Sequence, residues 1–237
     1  MTRQQEIATN LKTVDERIRR ACDAADRHRE DVQLIVVTKS CPASDIEILH
    51  DLGVTDVGEN RHPEAGRKKE ALGDVGRDLV WHFIGGLQSN KAAAVAEYSQ
   101  VVQSVDRAKL LPGLSKGAQQ AGRSVACLVQ VNLDGPAAPD TSTRAGARPF
   151  DVAELARAVD ATEGLNLRGV MGVAPLDGDP AEAFATLSEI AETLREIYPG
   201  CRLISAGMSG DLEQAISAGA THVRVGRSVL GERPPLR

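Results

Sequence analysis

The segment QLIVVTKS, residues 33–40, has the form of a short buried strand that ends abruptly in polar residues. Leu34 to Val37 are apolar and mostly β-branched, which favours a strand, and Thr38, Lys39 and Ser40 follow at once. The same unit recurs along the chain and alternates with segments of helical spacing. Strands that alternate with helices form right-handed βαβ units, so the pattern predicts a parallel sheet.

Eight strands are predicted, at 33–38, 56–57, 79–83, 101–103, 124–132, 166–171, 202–204 and 221–225. One helical segment precedes them at 4–27, and seven lie between them, at 43–52, 61–72, 88–97, 106–121, 150–162, 181–197 and 209–218. Eight units in 237 residues fit a single (β/α)8 TIM-type barrel with an extra N-terminal helix, as one domain over 1–237. A doubly wound open sheet is the rival fold. The irregular stretch 134–149 is predicted to be a mobile surface loop, because the strand–helix rhythm resumes after it.

The composition narrows the classes of partner. The net charge of −5 argues against nonspecific binding to nucleic acid or anionic membranes, and an aromatic content of 3% argues against base-stacking platforms. The cysteines Cys22, Cys41, Cys127 and Cys201 form no CxxC pair, so neither a zinc ribbon nor a dithiol redox site is expected. With no signal-peptide pattern and no apolar run near the roughly 20 residues of a membrane span, we expect a cytoplasmic protein that enters no membrane.

Polar residues and glycines follow the predicted strands at the end of the barrel where active sites of this fold lie. Lys39 stands out because its stem leaves the apolar run 34–37. A partly desolvated lysine there suits Schiff-base chemistry, although a solvated lysine at a strand end is a common alternative. The other residues that follow strands include Gly58, Glu59, Asn60, His82, Ser104, Asn132, Met171 and Gly172.

The loops after the seventh and eighth strands are the usual phosphate site of such barrels. Here they are SAGMS (205–209) and VGRS (225–228). Gly207 lets the backbone approach an anion, the hydroxyls of Ser205 and Ser209 can donate, and amides at the start of the next helix face the same space. The alternative is that the glycines only permit turns and that Ser209 only caps its helix. Both loops at the expected positions together favour a phosphate site.

Two further residues have plain structural interpretations. His82, after Trp81 at the end of the third strand, is often a hydrogen-bonded core residue, and no second histidine lies at metal-ligand spacing, so no metal is predicted. Cys41, two residues beyond Lys39, is interpreted as a buried filler in preference to a reactive thiol.

Seven segments then occur in a distinctive order: VVTK (36–39), GEN (58–60), WHFIGGLQSNK (81–91), VQVN (129–132), LRGVM (167–171), SAGMS (205–209) and VRVG (223–226). Together they resemble the pyridoxal-phosphate homeostasis protein family (YggS/PROSC-like), over about residues 31–233. The WHFIG-x-LQ-x-NK and SxGMS runs are the most specific parts. The resemblance implies the fold of the alanine racemase N-terminal domain, pyridoxal 5′-phosphate (PLP) as cofactor, and a role in intracellular PLP (vitamin B6) and amino-acid homeostasis.

The resemblance also implies roles for individual positions. Lys39 would hold PLP as a lysine aldimine, and Arg224 would face the pyridine nitrogen. Asn60 and His82 would line the side of the ring. The phosphate would be held by the two loops after the last strands, through Ser205, Gly207, Met208, Ser209, Gly226 and Arg227.

Three features depart from the family's pattern. Cys41 stands where a second lysine is frequent, and Arg227 stands where a threonine is usual. A hydroxyl contact to the phosphate is therefore lost, or replaced by the guanidinium or by Ser228. Loop 134–149 is longer and richer in proline than the common version, whose Lys-x-Gly-like end is matched by Arg144-Ala145-Gly146. These departures bear on the affinity and exchange rate of PLP more than on binding itself.

Racemisation needs a base on each face of the substrate carbon. Alanine racemase-like enzymes take the opposing tyrosine from a second domain, and Tyr98 and Tyr198 are predicted to lie away from the rim. An arginine at the pyridine nitrogen would also weaken the electron sink of PLP chemistry. The first hypothesis is therefore a PLP carrier, the second a weak racemase-like PLP enzyme. The third is a Schiff-base aldolase or phosphate-ester isomerase, for which only Glu59 qualifies as a rim carboxylate, and Glu59 could equally be a structural acceptor near Lys39.

The expected ligand is PLP, with apo PLP-enzymes as candidate recipients. We expect a monomer, because the N-terminal helix could cover one end of the barrel and no obvious apolar patch remains.

Overall fold

The computed structural model describes residues 1–134 and 145–231 of the chain. Most of the predicted loop 134–149, including Arg144, lies outside the described residues, as does the C-terminal stretch 232–237.

Eight parallel strands close into one barrel, in which each strand pairs with the next and β8 returns to β1. The closing register sets Ile35 opposite Arg224 and Val36 opposite Val225. Closure confirms the predicted (β/α)8 barrel and rules out the open doubly wound sheet. The strands are β1 Gln33–Val37, β2 Asp56–Glu59, β3 Val80–Phe83, β4 Val101–Val105, β5 Val125–Val131, β6 Leu165–Gly172, β7 Leu203–Ser205 and β8 His222–Val225.

Helices surround the barrel near the predicted segments, with differences of a few residues at their ends, and two further short helices, at 74–78 and 227–230, were not predicted. The helices are α1 Arg3–Ala24, α2 Ala43–Asp51, α3 Glu64–Ala71, α4 Asp74–Asp78, α5 Ala92–Tyr98, α6 Leu111–Gln120, α7 Val152–Asp160, α8 Pro180–Ile197, α9 Leu212–Ser217 and α10 Arg227–Leu230. Short 3-10 turns lie at Arg29–Asp31, Ser89–Lys91, Ala108–Leu110 and Pro149–Asp151. Over the described ranges, none of these helices combines the length and the apolar character that a bilayer crossing requires.

The main apolar core lies between the strands and the helices. Helix α7 illustrates the pattern, since Val152, Leu155, Ala156 and Val159 are buried at helical spacing while the opposite face meets solvent. Alternate residues of each strand enter this outer core, so the residues between them point into the barrel interior, called the lumen below.

The N-terminal helix α1 completes the outer ring of helices. Its buried residues Ile7, Val14 and Ile18 share one apolar cluster with residues of β1, α2, α9 and β8, including Leu49 and Val225. It therefore lies against the junction of β8 and β1, where the eighth helix of a barrel belongs. The expectation that this helix covers one end of the barrel is wrong, because its apolar stripe faces sideways onto those two strands.

Candidate functional site

Lys39 lies just beyond β1, at the end of the barrel where the strands terminate, and it is half-buried. Val36 belongs to the outer core, and a side chain built on Gly58 would contact Ile35 and Val37, so these two residues face the lumen. Strand alternation then carries Lys39 to the lumen side of the barrel mouth. Cys41 is buried in the outer apolar cluster, as a filler would be.

The loops after β2 and β3 bring Asn60 to the same mouth. A Cβ on Gly85 would lie 2.3 Å from the carbonyl oxygen of Asn60, so only glycine lets these two loops pack this closely. The amide oxygen Oδ1 of Asn60 is buried and has no hydrogen-bond partner in the described part of the chain. A buried acceptor left unpaired is costly, and it marks a position where a ligand can donate.

A chain of hydrogen bonds crosses the lumen and connects five strands, β2, β3, β4, β7 and β8. Arg224 Nη1 donates to Ser205 Oγ at 2.7 Å, and Ser205 Oγ donates to Gln103 Oε1 at 2.7 Å. Gln103 Nε2 donates to His82 Nδ1 at 2.9 Å, and His82 Nε2 donates to Asp56 Oδ1 at 2.8 Å. Because β4 and β7 are not neighbours in the sheet, the bond between Gln103 and Ser205 must pass through the barrel interior. We call these five residues the lumen relay.

The relay runs in one direction, from a cation to a carboxylate. Burial disfavours the charged form of Asp56, but hydrogen bonds from His82 and Thr55 outweigh it and hold the pKa of Asp56 below its usual value. At the other end, burial lowers the pKa of Arg224 to about 10, so the guanidinium stays charged at neutral pH. Its second hydrogen bond, from Nη2 to the carbonyl oxygen of Gly172 at 2.9 Å, also goes to a neutral acceptor.

The relay bears on the expected role of Ser205. Its hydroxyl is fully buried, gives its one proton to Gln103 and accepts from Arg224. In this arrangement the proton of the hydroxyl goes to Gln103, and the role toward a phosphate that the resemblance implies for Ser205 stays a prediction. His82 is placed similarly, because both ring nitrogens are bonded within the relay and its contribution to the mouth is indirect.

The loop after β7 approaches the mouth with its backbone. Gly207 has φ +87, and a Cβ there would lie 2.7 Å from Cβ of Ala215, so this position requires glycine. The carbonyl oxygen of Gly207 accepts from the Arg224 amide at 2.9 Å, which joins the loops after β7 and β8. Gly226 follows β8 directly and is half-buried, and Arg227 beside it is exposed.

The rest of the loop differs from the expected anion cradle. The amide of Met208 already donates to Asp211 Oδ1 at 2.6 Å, and 40% of the Met208 residue surface is exposed. Helix α9 begins at Leu212 rather than at 209, so Ser209 does not cap it. Instead the carbonyl oxygen of Ser209 accepts from Arg17 Nη1 at 3.1 Å, which ties this loop to α1.

Sequence reasoning missed two members of the lumen relay and placed a third residue wrongly. Gln103 is one of two polar residues in the otherwise apolar strand β4, and Asp56 begins β2, so the sequence carries a local signal for both. Ser104 was expected at the rim, but the register between β4 and β5 shifts between Val102 and Val105, and the Ser104 hydroxyl is buried without a partner among the described residues.

Glu59 lies outside the lumen. Its carboxylate is 2% exposed and accepts from Thr38 Oγ1 at 2.8 Å and Lys68 Nζ at 2.9 Å. Glu59 is therefore a structural acceptor next to the Lys39 segment. This placement removes the carboxylate on which the aldolase or isomerase hypothesis depended.

A family model, curated relatives and a solved structure all match this chain over nearly its whole length. The family model described as alanine racemase, N-terminal domain, matches residues 9–234. The pyridoxal phosphate homeostasis protein of Pseudomonas aeruginosa is 39% identical over 227 residues and covers 96% of each chain. The protein of the same name from Mycobacterium tuberculosis is 36% identical, covering 98% of this chain and 94% of its own length. The structure of PipY from Synechococcus elongatus with PLP bound has a TM-score of 0.79 at 33% identity, covering 95% of this chain and 100% of that one.

Proposed function

The chain belongs to the pyridoxal phosphate homeostasis protein family, and we propose that it binds PLP at the barrel mouth through Lys39 and serves intracellular PLP and amino-acid homeostasis. The single observation that carries the proposal is a half-buried lysine at the end of β1 in a barrel whose lumen holds a buried arginine that is hydrogen-bonded to two neutral oxygens. A primary amine at the mouth and a positive charge in the lumen suit an anionic aldehyde.

The residues present fit PLP. When bound, PLP supplies an aldehyde that condenses reversibly with a primary amine, and Lys39 supplies that amine. The unpartnered Oδ1 of Asn60 offers an acceptor beside the ring, and Arg224 brings positive charge toward it. The φ of Gly207 allows close approach of the backbone to the phosphate.

The loops after β7 and β8 would supply the contacts to the phosphate of PLP. We propose that backbone groups around Gly207, Ser209 and Gly226 hold the phosphate, with Met208 and Arg227 at its exposed edge. Ser205 then acts by holding Arg224 in place rather than by donating to the phosphate. Arg227 offers a guanidinium where a hydroxyl would otherwise lie.

A carrier is favoured over an efficient enzyme by the position of the tyrosines. The Tyr98 hydroxyl is buried on the outer side of the barrel, where its ring stacks on His62 with centroids 6.0 Å apart and burial raises its pKa. Tyr198, at the end of α8, packs against the outer core. Neither tyrosine is placed to serve as a second base, and the charge of Arg224 opposes protonation of the pyridine nitrogen.

The remaining parts of the proposal concern the setting of the protein. We propose a single-domain monomer over 1–237 in the cytoplasm that passes PLP to apo-enzymes, without nucleic-acid or membrane partners. The four cysteines are buried and none is in a disulfide within the described residues, which suits a reducing compartment.

The test is a titration of the purified protein with PLP, followed by visible absorbance. The wild type should turn yellow, Lys39→Ala should stay colourless, and Lys109→Ala, at an exposed lysine, should behave as the wild type. Incubating the loaded protein with an apo PLP-enzyme should restore that enzyme's activity, whereas conversion of amino acids by the loaded protein itself would favour the enzyme hypothesis. A wild type that stays colourless would refute PLP binding through Lys39.

A further inference from the structure

A buried charged cluster lies on the outer side of β1 and β2, behind Lys39. Its centre is Lys68 in α3, whose Nζ donates to Glu59 Oε1 at 2.9 Å, to Glu64 Oε1 at 2.8 Å and to the carbonyl oxygen of Thr38 at 2.9 Å. The Lys68 side chain is 11% exposed, so these bonds are largely shielded from water. We call Thr38, Ser40, Glu59, Glu64 and Lys68 the Lys68 cluster.

The cluster forms hydrogen bonds to the residues on both sides of Lys39. On the N-terminal side, Thr38 is bonded through its hydroxyl to Glu59 and through its carbonyl oxygen to Lys68. On the C-terminal side, the Ser40 amide donates to Glu64 Oε1 at 3.1 Å. Lys68 links these contacts, because it bonds both carboxylates at once.

The backbone at Ser40 needs this support. Ser40 has φ +63, in the left-handed region that residues other than glycine rarely adopt. Such a conformation persists where the surroundings overdetermine it, and it is often found beside functional residues. The bond from the Ser40 amide to Glu64 is one such constraint, and Glu64 is itself held by Lys68.

Neighbouring groups favour the charged forms of Lys68 and Glu64, whereas burial outweighs the effects of Lys68 and Thr38 at Glu59 and raises the pKa of Glu59. Burial disfavours the charged form of Lys68, but Glu59 and Glu64 outweigh it and raise the pKa of Lys68. Burial likewise opposes ionisation of Glu64, but Lys68 and the Ser40 amide hold the pKa of Glu64 below its usual value. Removing Lys68 would leave two neighbouring carboxylates and release both flanks of Lys39.

We propose that Lys68 is a positioning residue that fixes the backbone around Lys39 so that its amine meets the aldehyde of bound PLP. Lys68 acts from outside the lumen and contacts Thr38, not the ligand. This inference rests on the proposed function, because it assigns a supporting residue to the same lysine.

The experiment separates covalent attachment from occupancy of the site. Wild type, Lys68→Met and Lys69→Met are titrated with PLP and with pyridoxine 5′-phosphate, which has the same ring and phosphate but no aldehyde. Lys69 is the matched control, because its Nζ is also hydrogen-bonded, to the carbonyl oxygen of Tyr98 at 2.7 Å, away from Lys39. Lys68→Met should raise the Kd of PLP about tenfold, equivalent to about 1.4 kcal/mol, and leave the Kd of pyridoxine 5′-phosphate within about twofold. Lys69→Met should change neither Kd.

Loss of Lys68 leaves Glu59 buried beside Glu64, so the variant risks failing to fold. Glu64→Ala is then decisive, since the Glu64 side chain is 34% exposed and its removal frees the Ser40 amide. It should show the same selective loss, about threefold, for PLP alone. Equal Kd values for PLP in wild type and folded variants, or equal losses for both ligands, would overturn the positioning role. A wild type that never attaches PLP at Lys39 refutes the proposed function, and the positioning role falls with it. This outcome differs from failure of the positioning role alone, because the wild type shows it before any variant is measured.

Discussion

The two cationic side chains at the barrel mouth are held in opposite ways. The segment of Lys39 is held from outside the barrel by the Lys68 cluster, in which Lys68 forms direct ion pairs with two carboxylates. Arg224 is held from inside the barrel, and its nearest relay carboxylate, Asp56, is reached only through the side chains of Ser205, Gln103 and His82. The support of the Lys39 segment depends on ion pairs, and the support of Arg224 depends on an ordered series of hydrogen-bond donors and acceptors.

The difference shows two ways of fixing a residue at one barrel mouth. Lys68 bonds two carboxylates on the outer side of the strands, so the Lys68 cluster constrains the backbone around Lys39 without placing its own charges in the lumen. A relay orients Arg224 while its two hydrogen bonds go to neutral oxygens, so neither acceptor cancels its positive charge. The relay stabilises the fold only while every member keeps its hydrogen-bond partner, because an unpaired polar group is costly in a low-dielectric interior.

Breaking the middle of the relay should have the largest effect. Gln103→Leu removes the acceptor of Ser205 and the donor to His82, and both are buried. We expect the free energy of unfolding to fall by about 3 kcal/mol, because two buried polar groups lose their partners. Urea unfolding measures this, and Gln119→Leu, on the exposed face of α6, is the control. A loss equal to that of the control would show that the relay does not stabilise the fold.

His222 in β8, whose ring lies near that of His82, should make the free energy of unfolding depend on pH. Burial and the neighbouring His82 and Arg224 lower the pKa of His222 to about 4, against an opposing effect of Asp56. The unfolded chain therefore takes up this proton near pH 6.5 and the folded chain only near pH 4, so stability falls as the pH falls between these values, by up to about 3 kcal/mol. Unfolding curves from pH 7.5 to 4.5 should be flatter for His222→Gln than for the wild type. Parallel curves would contradict this.

Changing the cation at the end of the relay should affect the ligand next. Arg224→Met should weaken PLP binding roughly thirtyfold, the loss of one charge-assisted interaction of about 2 kcal/mol. Arg224→Lys keeps the charge but loses the two-pronged guanidinium, so it should recover only part of the affinity. Titration by visible absorbance measures both, and wild-type affinity in Arg224→Met would remove this residue from the site.

The smallest effect is expected at the surface. Arg17 bonds Glu213 and the carbonyl oxygen of Ser209, but the two charged side chains are 33% and 47% exposed. Arg17→Met should cost less than about 1 kcal/mol of stability and weaken PLP binding at most a few-fold, without changing the binding of pyridoxal, which lacks the phosphate. A tenfold loss for PLP would mean that α1 controls the phosphate loop more tightly than this exposed pair suggests.

The fold was predictable because strand–helix alternation is local. All eight strands appear close to their predicted positions, and the stretch from Leu34 to Lys39 has the expected direction. The ring position of α1 was not predictable from periodicity, which gives an apolar stripe but not the surface it meets. The lumen relay depends on which strands face one another across the barrel, so Gln103 and Ser205, 102 positions apart, could not be joined from spacing. The pair Glu64 and Lys68, four residues apart on one helix, carried a local signal, but its link to Ser40 required the fold.

The most direct test of the account is the site of covalent attachment. The PLP-loaded wild type is reduced with borohydride, digested and examined by mass spectrometry. We expect a pyridoxyl group on the peptide that contains Lys39, at about one group per chain. An unmodified Lys39, or label spread over exposed lysines such as Lys109, would contradict it.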